Sequence, residues 1–558
     1  MTPLFKKALA CFCLILIAFT GFSADTRPNI IIIVADDLGY SDIGCYGGEI
    51  RTPNLDSLAQ NGLRFTQFYN AARCCPTRAS LLTGQYAHKV GLARNGNSLT
   101  RNGATIAELL KANGYQTALS GKWHLSFTPV LPEKHQMWLD HRFDPQQTFA
   151  PLDSYPVNRG FDRHYGIVWG VINYFDPFSL VDGTNAVKEV PKNFHLTDAI
   201  TDHAVNYVKD FAKADKPFFL YLAHCAPHWP LHALPEDIAK YRDTYKDGWH
   251  ELRKKRFERQ KQLGIIDEKN TTLPPVHGNG KDWDALTSEE KEYQSTKMAV
   301  HAAMIDRLDQ GVGKLLTTLR ETEQLDNTVI FFFADNGASP EIPNVPGYDR
   351  NAFTRSGEKI RYEPDGIPIT ELGSEKSYTG IGSYWANAAN TPFRFWKKES
   401  YEGGAHTPMI VQWPKGLKTK SGSITAQAGH VIDLLPTCLD LAKANYPAEY
   451  NGNKLTPLDG LSLLPVIQGK ERKPHDTIFF EHENGRAVRM GDWKLVAHSR
   501  PQSGWELYNI AKDRTETDNL ATKNPEEFNR LKARYDEWFS AVAAPALPQG
   551  QKGKKASK

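Results

Sequence analysis

The sequence is poor in cysteine, with seven among 558 residues. Two of them, Cys11 and Cys13, sit in an N-terminal apolar run, which leaves Cys45, Cys74, Cys75, Cys225 and Cys438. An odd, scattered set excludes a disulfide framework, and in an oxidising compartment at least one thiol must be free, buried or chemically altered. An excess of either charge is also missing. Against 67 Lys and Arg stand 64 Asp and Glu, a net charge of +3, too small to argue for a nucleic-acid partner. The basic stretch Arg253 to Arg256 is flanked by Glu251 and Glu258 and is expected to form a solvated helix face. Apolar runs long enough for a bilayer are absent as well. The run from Ala8 to Phe22 is short for a membrane span. With Lys6 and Lys7 before it and small residues after it, it reads as a signal peptide over residues 1–24, cleaved after Ser23 or Ala24. The expected destination is the periplasm or the medium, with no stable membrane insertion after cleavage.

What the chain does contain is a set of short apolar runs that stop abruptly at polar residues. "NIIIIVADD" ends in Asp36 and Asp37, and "TALSGKWHL" delivers Lys122 and His124. "PFFLYLAHCAPH" ends in His224, and "TVIFFFADNG" in Asp335 and Asn336. Such runs read as strands buried on both faces, the signature of a parallel sheet. Helical patterns alternate with them, as in "TIAELLKANG" and the amphipathic stretch 295–320. Alternation of this kind argues for an α/β fold with a covered sheet, in which ligands bind beyond the carboxyl ends of the strands. The four polar clusters should therefore converge on one edge.

Their chemistry is complementary. Asp36, Asp37, Asp335 and the amide oxygen of Asn336 form an all-oxygen set suited to Ca²⁺ or Mg²⁺. Lys122, His124 and His224 supply positive charge and proton transfer. Together they read as metal-assisted chemistry on an anionic substrate. A further stretch, "RCCPTRASLLTG", sets Cys74 beside Cys75 just before Pro76, a residue suited to the first turn of a helix. Cys74 then lies at a helix N-terminus, which favours anions, with Arg78 one turn on and on the same face.

"CCPTRASLLTG" resembles the signature of the type I sulfatases, Cys-x-Pro-Ser/Thr-Arg with a Leu-x-Thr-Gly-like tail. The blocks "ADD", "GKWHL", "APHWPLHA", "ADNG", "NTPFRFWKKESYEGG" and "GDWKLV" resemble sulfatase blocks in the family's order over residues 28–520. The likeness is to bacterial arylsulfatase-like members. It implies an alkaline-phosphatase-like fold with a mixed, mostly parallel sheet. It also implies that Cys74, two residues before Pro76, is converted by a maturation enzyme to Cα-formylglycine, whose hydrate is the nucleophile, leaving Cys75 a bystander. Carried over by position, Asp36, Asp37, Asp335 and Asn336 would hold Ca²⁺ together with the residue at 74. Arg78, Lys122, His124, His224 and Lys397 would line the sulfate, with His224 as acid and His124 as base. His228 and His406 are candidate substrate contacts.

The implied activity is sulfuric ester hydrolysis, on a sulfated small molecule or a glycan. The rivals are a phosphonate or phosphodiester hydrolase on the same scaffold and an inactive sulfated-glycan-binding relative. Residues 25–470 should form the catalytic domain, with the polar loop Pro340–Asn390 over the pocket. Residues 471–545 read as a small sheet with a helix from Pro525 to Ala541, and 546–558 as a disordered basic tail.

Overall fold

The segment Asn29–Ala35 carries no polar side chain after its first residue, so it can be sheltered on both faces only inside a sheet. In the computed structural model, which describes residues 26–128, 139, 148–347 and 350–543, it is the fully buried strand β1. The expected signal peptide and basic tail lie outside the described residues. The other strands are β2 (Leu63–Tyr69), β3 (Gln116–Gly121), β4 (Arg163–Ile167), β5 (Leu180–Asp182), β6 (Asn185–Ala186), β7 (Phe218–Ala223) and β8 (Thr328–Ala334). Strands His406–Gln412, Ser423–Thr425 and Gly429–His430 complete the sheet.

The main spatial order is Ser423–Thr425, β2, His406–Gln412, β8, β1, β7, β3, β4, β5, β6. Strands β8, β1, β7, β3 and β4 are parallel, with Ile32 of β1 opposite both Tyr221 and Phe331. His406–Gln412 runs against its two neighbours, and β5 and β6 are antiparallel at the far edge. The sheet is thus mixed and mostly parallel, as expected.

Alternation along the strands sorts their side chains onto two cores. Ile31, Ile33, Leu220 and Leu222 pack with the helices Leu196–Phe211 and Ser288–Glu321. Ile30, Ile32, Phe219 and Tyr221 pack with Cys74–Thr83, Ile106–Ala112 and Leu434–Ala442. Each fully buried Ile, Leu or Phe side chain among these contributes roughly 1.5–3 kcal/mol. The helix read at 295–320 begins earlier, at Ser288, because Thr287 and Glu290 form a capping box ahead of the apolar pattern.

The basic stretch departs from its expectation. It lies in the helix Gly248–Gln262, but Arg253 and Arg256 are buried. Arg256 pairs with Asp42 and Glu49 at 2.8 Å each, and Arg253 donates to Pro274 O. Only Lys254 and Lys255 keep to the solvated face, because partners distant in sequence draw the two arginines inward.

Beyond the sheet, Ile478–His482, Gly485–Met490, Trp493–Ala497 and Trp505–Asn509 form a four-stranded antiparallel sheet. The helix Pro525–Ala543 covers it, with Trp538 stacked on Phe479 at 4.7 Å. No helix among the described residues is long and apolar enough to cross a membrane.

Candidate active site

Because the central strands are parallel, β1, β3, β7 and β8 deliver the residues at their carboxyl ends to one edge. Asp36 and Asp37 come directly after β1, Lys122 and His124 after β3, and Asp335 and Asn336 after β8. Gly121 makes the close approach possible at the end of β3. Its φ is +118°, and a Cβ there would lie 1.9 Å from Ala223 O. Strand β2 feeds the helix Cys74–Thr83, which starts two residues before the expected proline. Pro76 sits in the first turn, where a missing N–H costs nothing.

The side chains meet in a dry ion network. Lys122 Nζ lies 2.5 Å from Asp36 Oδ2. Arg78 donates through Nε and Nη2 to Asp335 Oδ2 at 3.0 and 2.7 Å, and its Nη2 lies 3.7 Å from Asp36. Lys397 Nζ is 2.8 Å from Asp37 Oδ1, and the Asn336 amide donates to the same oxygen at 2.6 Å. The Asp37 backbone N–H donates to Asp335 Oδ1 at 3.3 Å. Burial pushes against ionisation of Asp36, but the Lys122 and Arg78 charges outweigh it and hold its carboxyl well below the usual range. Burial and the neighbouring Asp36 charge raise Asp335 instead. Burial raises the Cys74 thiol despite Lys122 and Lys397 beside it.

Two features fit a bound cation. Asp36 Oδ1 and Asn336 Oδ1 are buried acceptors without a hydrogen-bond partner, a condition that native interiors rarely tolerate. Asp36, Asp37 and His228 each offer a ligand atom within 4.8 Å of the others. His228 Nδ1 lies 2.6 Å from the Trp229 carbonyl, so it carries the proton, and the Nε2 lone pair faces Asp37 Oδ2 at 3.5 Å. Lys397 Nζ donates to the same Asp37 oxygen at 2.9 Å, so one positive charge already faces the pair.

Of the two histidines in "HCAPH", the structure brings His228 to the carboxylates and not His224. Burial lowers the pKa of each to about 4, but the charges felt by His228 are Asp37, Lys397, Asp36 and Lys122. His224 feels only Asp198, on the opposite core's helix, and both of its ring nitrogens lack a partner. The reason is parity. His224 continues the Leu220, Leu222 side of β7, whereas Tyr221, whose hydroxyl is 3.5 Å from Arg78 Nη1, faces the site.

His406 is likewise apart from the carboxylates. It is buried against Tyr40, Tyr69 and Phe393, with ring centroids 4.7–5.2 Å away, and the charge that acts on it most is Glu402. His124 is in place beside Lys122 and Arg78, its pKa driven well down by burial and by those cations. Gly170 leaves room for its ring, since a Cβ there would sit 2.4 Å from His124 Nε2. Lys397 is 1% exposed, whereas Lys398 reaches out to Glu483 at 2.6 Å.

Sequence reasoning missed Glu341. This residue of the expected covering loop binds Arg73 Nη1 at 2.7 Å and Trp229 Nε1 at 3.0 Å, and lies 3.3 Å from Lys397. Only its position five residues after Asn336 hinted at it.

A covered parallel sheet with acids, lysines, an arginine and a helix-borne cysteine at one edge defines a hydrolase site for an anionic ester. The family comparison makes this specific. The Sulfatase model matches residues 28–444, and that of the N-sulphoglucosamine sulphohydrolase C-terminal region matches 393–540. The chain belongs to the sulfatase family and is a sulfatase enzyme, one that hydrolyses sulfate esters. It is 32% identical to the arylsulfatase of Klebsiella aerogenes over 84% of this chain and 98% of that one. The solved structure of Ps i-CgsB in complex with k-i-k-neocarrahexaose is 27% identical, covers 92% of each chain and superposes with a TM-score of 0.62. The phosphonate monoester hydrolase of Agrobacterium radiobacter shares the alkaline-phosphatase-like fold, with a TM-score of 0.51, 20% identity, and 93% and 96% of the two chains covered.

Proposed function

We propose that this sulfatase uses Cα-formylglycine derived from Cys74 and a Ca²⁺ ion to release sulfate from an aryl or carbohydrate sulfate ester. The observation that carries the reading is the placement of Cys74 at a helix N-terminus among Lys122, Lys397, Asp36 and Arg73, the charges that act on it. Asp36, Asp37, Asp335 and Asn336 would hold the ion, with His228 close by. Bound there, a divalent ion polarises oxygens and neutralises charge, while the modified residue supplies the nucleophilic oxygen.

The remaining work falls to the chain's own groups. Arg78, Lys122 and Lys397 are buried cations within the carboxylate cluster, placed to offset the charge that builds on sulfuryl oxygens. His228 replaces His224 as the residue proposed to hand a proton to the leaving oxygen, and His124 takes one up. Both rings rest neutral, so His124 can take a proton up directly, whereas His228 must first bind one at its Nε2 lone pair and then, as imidazolium, pass that proton to the leaving oxygen. Export and a formylglycine-generating partner enzyme belong to the same proposal, since conversion removes one thiol of the odd set.

The test is sulfate release from 4-nitrophenyl sulfate by protein co-produced with a maturation enzyme, with phenylphosphonate assayed alongside. Sulfate should be the preferred substrate. His228→Ala should lower kcat by about a hundredfold or more, and His224→Ala should leave it within roughly tenfold, as a buried residue outside the chemistry. Preference for the phosphonate would overturn the reading, and a reversed histidine order would overturn the proton assignment.

The two lysines give a second expected outcome. Lys397→Ala removes a buried cation from the site and should cost about 3 kcal/mol of transition-state stabilisation. Lys398→Ala breaks an exposed ion pair, an interaction usually contributing under about 1 kcal/mol, and should be mild. Equal kcat values for the two variants would refute the placement of Lys397 on the sulfuryl group.

A further inference from the structure

We propose that the cavity between Tyr40, Phe393 and Arg514 is a second ligand site, one that takes a small organic anion: a single carboxylate on an apolar body. The cavity has a volume of about 350 Å³, within the range of sites that hold small molecules. None of the residues placed at the catalytic edge lines it. Tyr40 and Arg514 bring donors to it, and Phe393, Ile265 and Ile424 supply apolar wall.

Tyr40 is 1% exposed, and its ring is fixed by Tyr46, Phe393 and His406, with centroids 4.7–5.2 Å away. Burial raises its pKa well above the usual phenol value, so the hydroxyl keeps its proton. That hydroxyl has no hydrogen-bond partner among the described residues. Native interiors rarely keep such a group unanswered.

The Arg514 side chain is 11% exposed. It donates to Tyr69 Oη at 3.4 Å and to the Thr66 carbonyl at 3.3 Å, both through Nη atoms, which leaves Nε free for a ligand. Glu402 lies 3.3 Å from its Nη2 but does not cancel its charge, because Lys494 holds the same carboxylate at 2.8 Å. Lys494 and Arg514 together balance Glu402 and Glu516. Two further cations stand nearby without a carboxylate partner. Arg489 donates to Tyr69 Oη, Gly491 O and Gln67 Oε1, and Arg64, whose charge reaches Tyr40, donates to the carbonyls of Cys45 and Gly422. Asp267 is the one acid of the cavity wall, exposed and turned to the Lys269 N–H at 3.0 Å. The balance around the cavity is therefore positive. A carboxylate entering it meets a guanidinium and a phenol donor, and its apolar body meets the isoleucines.

Isothermal titration calorimetry of the purified protein with 3-phenylpropionate and with its neutral amide, 3-phenylpropanamide, tests this. The acid should bind with a Kd of about 1 mM or tighter, and the amide at least about tenfold more weakly. Y40F should weaken binding of the acid by about fivefold or more. It should leave Tm within about 2 °C, since the hydroxyl it removes bonds to no described residue. Ala426→Trp, at an exposed position of the wall, should fill the cavity and abolish binding in a chain that also keeps its Tm. Binding of the acid retained in full by either variant would place the anion elsewhere and overturn the inference. So would equal affinities for acid and amide, or no binding to the wild type at about 10 mM.

Discussion

Cys74→Ala is expected to reduce sulfate release to background, while Cys75→Ala keeps most of it. The two neighbours live in different surroundings. Cys75 belongs to the apolar core under the sheet, with Ala79, Leu82 and Leu435, and burial drives its thiol far up. Cys74 belongs to none of the apolar clusters among the described residues, and Lys122, Lys397, Asp36 and Arg73 are the charges around it. Trimming Cys75 to alanine removes one buried sulfur and should cost on the order of 1 kcal/mol of stability without touching the reacting atoms. Removing Cys74 takes away the precursor of the nucleophile. Peptide mass spectrometry of the matured wild type should show an aldehyde at Cys74 and an intact thiol at Cys75. A fully active enzyme with unmodified Cys74 would sink the proposed mechanism.

Much of this architecture could be read along the chain, for a physical reason. Strands β1, β7 and β8 are continuous apolar runs, and a run sheltered on both faces admits few alternatives to a central parallel strand. Once they are parallel, the residues after them must share an edge, so Asp36, Asp37, Asp335 and Lys122 were legible as a group. Parity along β7 was equally available, and applying it would have set His224 against the helix Leu196–Phe211.

What no local pattern could supply is the return of the chain after β7. Tyr174 Oη donates to the carbonyls of Cys225 and His228 at 2.6 and 3.0 Å, and Asp36 N donates to Ala226 O at 3.1 Å. Those contacts fold the segment back until His228 reaches Asp37. The burial of Arg256 by Asp42 and Glu49, and the anchoring of Glu341 by Arg73 and Trp229, likewise depend on partners far away in sequence. Charge patterning within one helix or one loop carries no record of them.

The strongest test of the metal assignment is at the end of β8. Asp335 is buried completely, receives both Arg78 contacts on Oδ2 and takes the Asp37 backbone N–H on Oδ1. Asp335→Ala should abolish activity and also destabilise the fold by about 3–5 kcal/mol, because it strands the buried Arg78 guanidinium. Asp335→Asn separates the two effects. Its amide keeps the side-chain volume and an acceptor for Arg78, while the negative charge that would anchor Ca²⁺ is gone. Fewer or weaker hard-oxygen ligands lower Ca²⁺ affinity steeply. Metal analysis of purified, folded Asp335→Asn should therefore find well under one Ca²⁺ per chain where the wild type holds one, with activity lost in parallel. Stoichiometric Ca²⁺ in that variant would remove Asp335 from the ligand set and leave it the role of holding Arg78.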